Sequence, residues 1–399
     1  MASPAPERPR TAAVVLAGAL ALAVAMAIGR FAFTPLLPLM MRDGLLDAAG
    51  GAELAAANYL GYLVGALSAG RLAARPLPLL RACLLAMALM TAAVGWTDAP
   101  AAWTVLRFGA GVASAWALVA VSSWALTTLA ARGRALWVGG VFAGVGGGVA
   151  LTGLLAWAAA DWPARQLWQG LGALALVLAA AVAWLLREAA PPVPPAAPAP
   201  GAPRSGCPPG SWPLVWCYGV FGFGYILPAT FLPAMARALI DDPARFGLDW
   251  PLFGAAAVAS TLGSVRLLAV LRPLPAWVLC QATLALGTAM PLLSRSAAAL
   301  AVAALAVGGT FVLVTVIAMA VARERVPQQP APLVARMTAA FALGQIAGPL
   351  LVRALHGAHW GPGGAWGPIE LASATATAAV LASVVWLWRL SAASPAPRG

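Results

Sequence analysis

The sequence predicts an all-α membrane protein: twelve transmembrane helices in two pseudo-symmetric six-helix bundles. Three observations lead there. First, 62% of the 399 residues are hydrophobic and only 9% charged, whereas a soluble chain carries about 25% charged residues. So few charges leave no means of covering a soluble surface. Second, Gly29–Arg42 returns as Gly224–Arg237 at a constant offset, matching Leu37 with Leu232, Pro38 with Pro233 and Met40 with Met235. Third, residues 188–211 hold so many prolines that neither helix nor sheet survives there, which makes the stretch an extended linker between six segments and six.

Each segment follows from the need for about 20 mostly apolar residues to cross a bilayer. In the first half these are Ala12–Met40, Glu53–Ala74, Leu79–Thr97, Ala101–Leu129, Ala135–Ala158 and Gln166–Leu186. In the second they are Leu214–Ala236, Pro251–Leu271, Trp277–Leu293, Ala297–Val321, Leu333–Leu355 and Ile369–Leu390. The domain plan is therefore a tail over 1–11, a bundle over 12–187, the linker over 188–211, a bundle over 212–390 and a tail over 391–399. Arg8 and Arg10 ahead of an apolar run, with Ala25-Met26-Ala27 beyond, imitate a signal peptide. The run is long for a signal core, however, and its counterpart near Gly222 lies mid-chain.

The chain has no lysine, and its net charge of +12 comes from arginine. With the amino terminus inside, sixteen arginines fall on the cytoplasmic side and six outside, while Asp43, Asp47, Asp98, Asp161, Asp241 and Asp242 fall outside. That bias sets both termini and the linker in the cytoplasm. Trp96, Trp103, Trp162, Trp168 and Trp250 are expected at outer interfaces. Heavy alanine, arginine, glycine and proline usage points to a GC-rich bacterial genome, and the expected location is the bacterial cytoplasmic (inner) membrane. The arginines stand singly between apolar runs, which excludes a nucleic-acid surface. Cys83, Cys207, Cys217 and Cys280 show no paired spacing. No phosphate-binding loop is present, and no cofactor is expected. His356 and His359 are three apart beside Trp360 and read as a solvated helix end rather than a metal site. Gly140, Gly144 and Gly148 on the fifth helix, and Gly61 and Gly65 on the second, permit close helix contacts, static or sliding.

Two halves related by a repeat suggest a carrier, and local sequence sharpens this. Gly29-Arg30-Phe31-Ala32-Phe33-Thr34-Pro35-Leu36-Leu37-Pro38, Ala57-Asn58-Tyr59-Leu60-Gly61-Tyr62, Gly224-Tyr225, Pro228 to Pro233, Gly308-Gly309-Thr310-Phe311 and Gly344-Gln345-Ile346 resemble the major facilitator superfamily, within it the YbfB/YjiJ type. The resemblance implies a secondary carrier of small organic solutes working by alternating access, not an enzyme. Its expected partners are a small-molecule substrate, the lipid bilayer and protons as coupling ion, with a monomer as the working unit. The chain departs from the superfamily where Gly70-Arg71-Leu72-Ala73-Ala74-Arg75 has alanine in place of an aspartate, and where Gly146-Gly147-Gly148 lacks the proline of drug antiporters. Hydrophobic drug efflux and a non-transporting sensor or scaffold remain the alternatives.

Arg30 is the sharpest signal. An arginine deep in a spanning helix costs about 2.5–3.5 kcal/mol on insertion scales, so it faces a cavity or a partner, or snorkels to the interface. Phe33 and Thr34 share its face. Arg107, with Ser114 on the same face, is expected at similar depth, as ligand contact or as structure. Asn58 and Tyr62 share a face of the second helix, either bonding another helix or lining a cavity. Tyr225 holds the repeat position of Arg30; Thr310 and Gln345 complete the candidate substrate-binding set. Pro38 and Pro233 are expected to shape an outer gate. Glu53 and Asp249, at nearly equivalent outer helix ends, are the candidates for proton coupling. The positive charge of Arg30 and Arg107 favours an anionic solute. Glu53 is the alternative partner of Arg30.

The orientation is checked with single cysteines in a cysteine-free background. Asp98→Cys is expected to react with an impermeant maleimide in intact cells, and Arg204→Cys only after permeabilisation; the opposite pattern inverts the topology.

Overall fold

The computed structural model describes residues 11–72, 75–134, 137–187, 211–239, 247–326, 331–360 and 366–393. The expected linker lies outside these apart from Ser211, as do most of both tails, Ala73 and Ala74 of the loop after the second helix, and Asp241 and Asp242. Twelve spanning-length helices stand among the described residues. They are α1 Thr11–Arg42, α2 Ala48–Leu72, α3 Pro76–Val94, α4 Pro100–Ala131, α5 Val138–Ala158 and α6 Ala164–Leu185. The second half gives α7 Trp212–Leu239, α8 Asp249–Val270, α9 Pro273–Leu293, α10 Ala297–Arg325, α11 Ala331–Ala354 and α12 Pro368–Ala392. Eleven are apolar enough to count as candidate spans by composition; α2, with its polar Asn58 and Glu53, is the exception.

The helix starts have local causes. Pro76, Pro100, Pro273 and Pro368 open their helices, where a missing N–H costs nothing and the fixed φ is already helical. Ser296 caps α10, its Oγ accepting from the Ala299 N–H at 3.2 Å. At the far end of α1, Gly44 takes a positive φ of 68°, which stops the helix.

Two helices are not uniformly α. Ala23–Phe31 of α1 and Ser122–Leu126 of α4 are π-helical. The sequence reading of α1 as one plain helix over Ala12–Met40 is thus refined. Pro35 lies just beyond the wide stretch and brings no N–H, so the ladder behind it cannot close in the ordinary register.

The chain falls into two compact units, Met1–Leu45 with Ala57–Pro200, and Leu46–Ala56 with Gly201–Gly399. In the first, α1 packs along α5 and α2 crosses α4, and both contacts run on glycine. A Cβ on Gly144 would strike the Ala19 carbonyl, and one on Gly148 would sit 2.6 Å from the Ala27 Cβ. A Cβ on Gly61 would strike the Phe108 carbonyl, and one on Gly111 the Asn58 carbonyl. The second unit repeats the scheme. Gly222 faces the Phe341 carbonyl and Gly344 the Gly219 carbonyl between α7 and α11, while Gly308 faces the Phe253 carbonyl between α10 and α8. Equivalent backbone contacts in both units, made where only glycine fits, are the physical form of the sequence repeat.

Trp103, Trp168 and Trp250 correct the sequence reading. They are 3%, 2% and 0% exposed and belong to the core, whereas Trp96 and Trp162 are exposed. The Trp103 indole N–H donates to the carbonyls of Val94 and Thr97 at 3.1 and 3.0 Å, tying the α3–α4 turn instead of facing headgroups.

The glycine seams yield a paired test. Gly144→Ala is expected to cost roughly 1–3 kcal/mol, as overpacking does, and to lower the thermal midpoint. Gly147→Ala places its Cβ in open space and is expected to leave the midpoint level or raised.

Candidate functional site

The candidate residues of the first unit gather around the wide stretch of α1. Pro35 leaves carbonyls upstream of it in need of donors, and α4 supplies them. The Arg107 guanidinium donates from Nη1 to the Gly29 carbonyl at 3.2 Å and from Nη2 to the Arg30 carbonyl at 2.9 Å. Two turns further along α4, Ser114 Oγ donates to the Ala25 carbonyl at 2.7 Å. Asn58 Nδ2 of α2 donates in turn to the Arg107 carbonyl at 2.8 Å. Of the two roles expected for Arg107 and Asn58, the helix-to-helix bond is the one the coordinates display. Gly61 and Gly111 bring α2 and α4 close enough for it.

With the backbone of Gly29 and Arg30 so held, the Arg30 side chain points among aromatic rings. It is 2% exposed. Its guanidinium carbon lies 4.1 Å from the Tyr62 ring centroid, 5.1 Å from that of Tyr59 and 5.2 Å from that of Phe31. Such cation–π contacts are worth about 2 kcal/mol or more where water is excluded. Arg107 in turn lies 5.0 Å from the Phe33 centroid and 6.0 Å from that of Trp168. Thr34 is buried on the same helix. Glu53 is not the partner of Arg30 that the sequence analysis allowed: it is exposed and pairs with Arg353, inside the second unit.

Tyr59 was absent from the predicted set, although its spacing of three from Tyr62 puts both on one face. Trp168 was assigned to an interface because no local pattern shows a tryptophan turning inward.

In the second unit, Tyr225 lies in a stack of rings. Its centroid is 5.2 Å from Phe221, 5.7 Å from Phe311 and 5.6 Å from Phe341, the last pair within 4° of parallel. Gln345 Nε2 donates to the Tyr225 hydroxyl. Thr310 spends its hydroxyl on its own helix, donating to the Ala306 and Val307 carbonyls at 2.8 and 3.1 Å. The spacing of Tyr218, Phe221 and Tyr225 along α7 was the available signal for this cluster. Pro38 and Pro233 are both buried inside their helices. Asp249 is buried at the first turn of α8, at 7% exposure, so the two acids weighed for coupling occupy different surroundings. His356 and His359 are exposed, and no metal-holding group of three ligands exists among the described residues.

Twelve spanning-length helices among the described residues, with glycine seams repeated between two units, fit a transporter of the major facilitator superfamily, and a family match places the chain there. More narrowly, residues 22–387 match the family described as uncharacterised MFS-type transporter YbfB, and the chain belongs to that family. The fold is shared with solved transporters of low identity. A variant of the nucleoside transporter NupG superposes with a TM-score of 0.72 at 12% identity, over 95% of this chain and 99% of that one. A D-xylose–proton symporter gives 0.69 at 13%, over 95% and 96%. A bacterial homologue of the human lysosomal transporter Spinster, inward-facing and occupied, gives 0.67 at 18%, over 97% and 96%. A search of curated proteins found no match.

Arg107→Gln should lower stability by about 1–3 kcal/mol, the cost of leaving a buried carbonyl unmet. It should also speed amide exchange within residues 23–31. A stability loss spread evenly over the chain would refute the assignment of Arg107 to the wide stretch of α1.

Proposed function

We propose that the protein is a secondary carrier of a small organic anion, working by alternating access in the bacterial cytoplasmic membrane, with Arg30 as the group that meets the anion. The carrying observation is the setting of Arg30: a guanidinium at the widened part of α1, buried against the rings of Phe31, Tyr59 and Tyr62. Rings on several sides limit where the guanidinium can turn and exclude water from around it. A fork so confined suits a carboxylate or phosphate held by two parallel bonds, which a lysine cannot reproduce. Arg107 adds positive charge nearby while its own donors hold the backbone. Phe33, Thr34, Asn58, Tyr62, Ser114, Tyr225, Thr310 and Gln345 complete the proposed set, Pro38 and Pro233 the proposed gate, and Glu53 and Asp249 the proposed coupling acids. Two bundles over 12–187 and 212–390, a cytoplasmic linker over 188–211 and a monomeric working unit belong to the same reading.

Hydrophobic drug efflux is the second reading, and the rings around Tyr225 favour it. Ligand charge separates the two. In a thermal-shift screen of purified protein against organic anions, sugars and cationic drugs, an anion is expected to raise the midpoint, because a ligand stabilises the state it binds. Arg30→Lys should fold normally yet bind that anion about tenfold to a hundredfold more weakly, the equivalent of the 1.5–3 kcal/mol of a charged hydrogen bond. Unchanged anion affinity in Arg30→Lys, or a cationic substrate, refutes the anion assignment. Flux of the stabilising solute into proteoliposomes separates a carrier from a sensor.

A further inference from the structure

The second unit carries a groove of about 650 Å³ on the surface of α7 and α11. The two helices run in the same direction. Arg336 near the start of α11 lies over the ring of Trp212 at the start of α7, 5.9 Å from its centroid. Further along, Gly344 meets Gly219, and Gly348 meets Ile226. The floor is shallow because the helices touch through these glycines, and the walls are Trp216, Phe223 and Leu343. Trp212, Trp216 and Leu343 are each more than half exposed. The groove has one charge, Arg336, and it stands at the end where α7 emerges from the linker.

We propose that this groove binds an anionic phospholipid, with an acyl chain along α7 and α11 and the headgroup phosphate at Arg336. Length supports this first. From Trp212 to Phe223 the helix advances roughly 17 Å at 1.5 Å per residue, and Arg336 to Ala347 the same. One leaflet of hydrocarbon is about 15 Å deep, half of the roughly 30 Å core. The groove therefore runs from the interface to the midplane, the path of one acyl chain. Charge supports it second: the arginine stands at the helix-start end of the groove with two exposed tryptophans, the side chains that settle at headgroup depth. The wall between is apolar throughout, so the site recognises a molecule with one anionic end and a long hydrocarbon end. A soluble anion would gain nothing from ten residues of apolar wall.

The test uses delipidated full-length protein in detergent, titrated with palmitoyl-oleoyl phosphatidylglycerol, with phosphatidylcholine of the same chains, and with glycerol phosphate alone, binding being read by native mass spectrometry. Phosphatidylglycerol is expected to bind the tightest site about fivefold better than phosphatidylcholine, the ratio that one interfacial arginine supplies. Arg336→Gln should abolish that preference, and Arg389→Gln, at an exposed arginine on α12, should keep it. Ala347→Phe, which fills the deep end at an exposed position, should weaken both lipids while the thermal midpoint stays at the parent value; Ala339→Phe serves as a second filling variant. Equal binding of the two lipids, a preference that survives Arg336→Gln, or displacement by glycerol phosphate at the same concentration as lipid overturns the proposal. So does a dimer peak that Ala347→Phe removes, since a second copy would then be the occupant.

Discussion

The two hydrogen bonds from Arg107 to the carbonyls of Gly29 and Arg30 decide the shape of the first unit. A widened helix in a bilayer is tolerable only if its loosened carbonyls find donors, since no water reaches them. A guanidinium supplies several donors from one side chain, and Nη1 and Nη2 of Arg107 both serve one segment of backbone. The contact in turn requires α4 to stand close to α1 and α2, which Gly61 and Gly111 permit. Asn58 then fixes α4 from the other side. Remove the arginine and the carbonyls of Gly29 and Arg30 lose these donors; remove the glycine contact and the arginine stands too far away.

The two units share this backbone plan but not its chemistry. Gly111 rests on the Asn58 carbonyl as Gly308 rests on that of Phe253, so Phe253 occupies the place of Asn58. Three residues past those glycines stand Ser114 in one unit and Phe311 in the other; four residues before them stand Arg107 and Ala304. Arg30 answers to Tyr225. At four equivalent places the first unit is polar or charged and the second aromatic or aliphatic. Duplication accounts for the common frame, and the divergence leaves two buried guanidiniums among rings in one unit and rings stacked on one another in the other.

Much of this was legible before the coordinates. Length and hydropathy located all twelve helices, because spanning a bilayer forces long apolar runs. The glycine spacing located the close crossings, because few residue types allow them. The position of Arg30 and Arg107 within such runs marked them as candidates, with snorkelling to the interface left open, and both are buried. What the sequence hid was direction. Trp103, Trp168 and Trp250 lie near helix ends where tryptophan commonly faces lipid, and only the neighbours they pack against turn them inward. The wide stretches of α1 and α4 were hidden too, since a helix register depends on donors arriving from another helix. That Arg107 spends its fork on backbone, and that Glu53 turns to Arg353, are facts of three-dimensional placement that no local pattern carries.

The π-helical stretch Ala23–Phe31 also bears on how this chain tolerates change in length. An α-helix turns 100° per residue, so a one-residue deletion that the wide stretch does not absorb would swing Thr11–Leu22 by about that angle relative to Phe33–Arg42. The faces of α1 that meet Gly140 and Gly144 of α5 would then point away from it, while the Pro35 end stayed in place. Elsewhere in a helix, substitution is the ordinary currency of divergence and indels collect in loops. Here the fixed quantity is the facing of the two α-helical ends of α1, and the wide stretch between them is the place in mid-helix where one residue more or fewer is taken up without turning those faces.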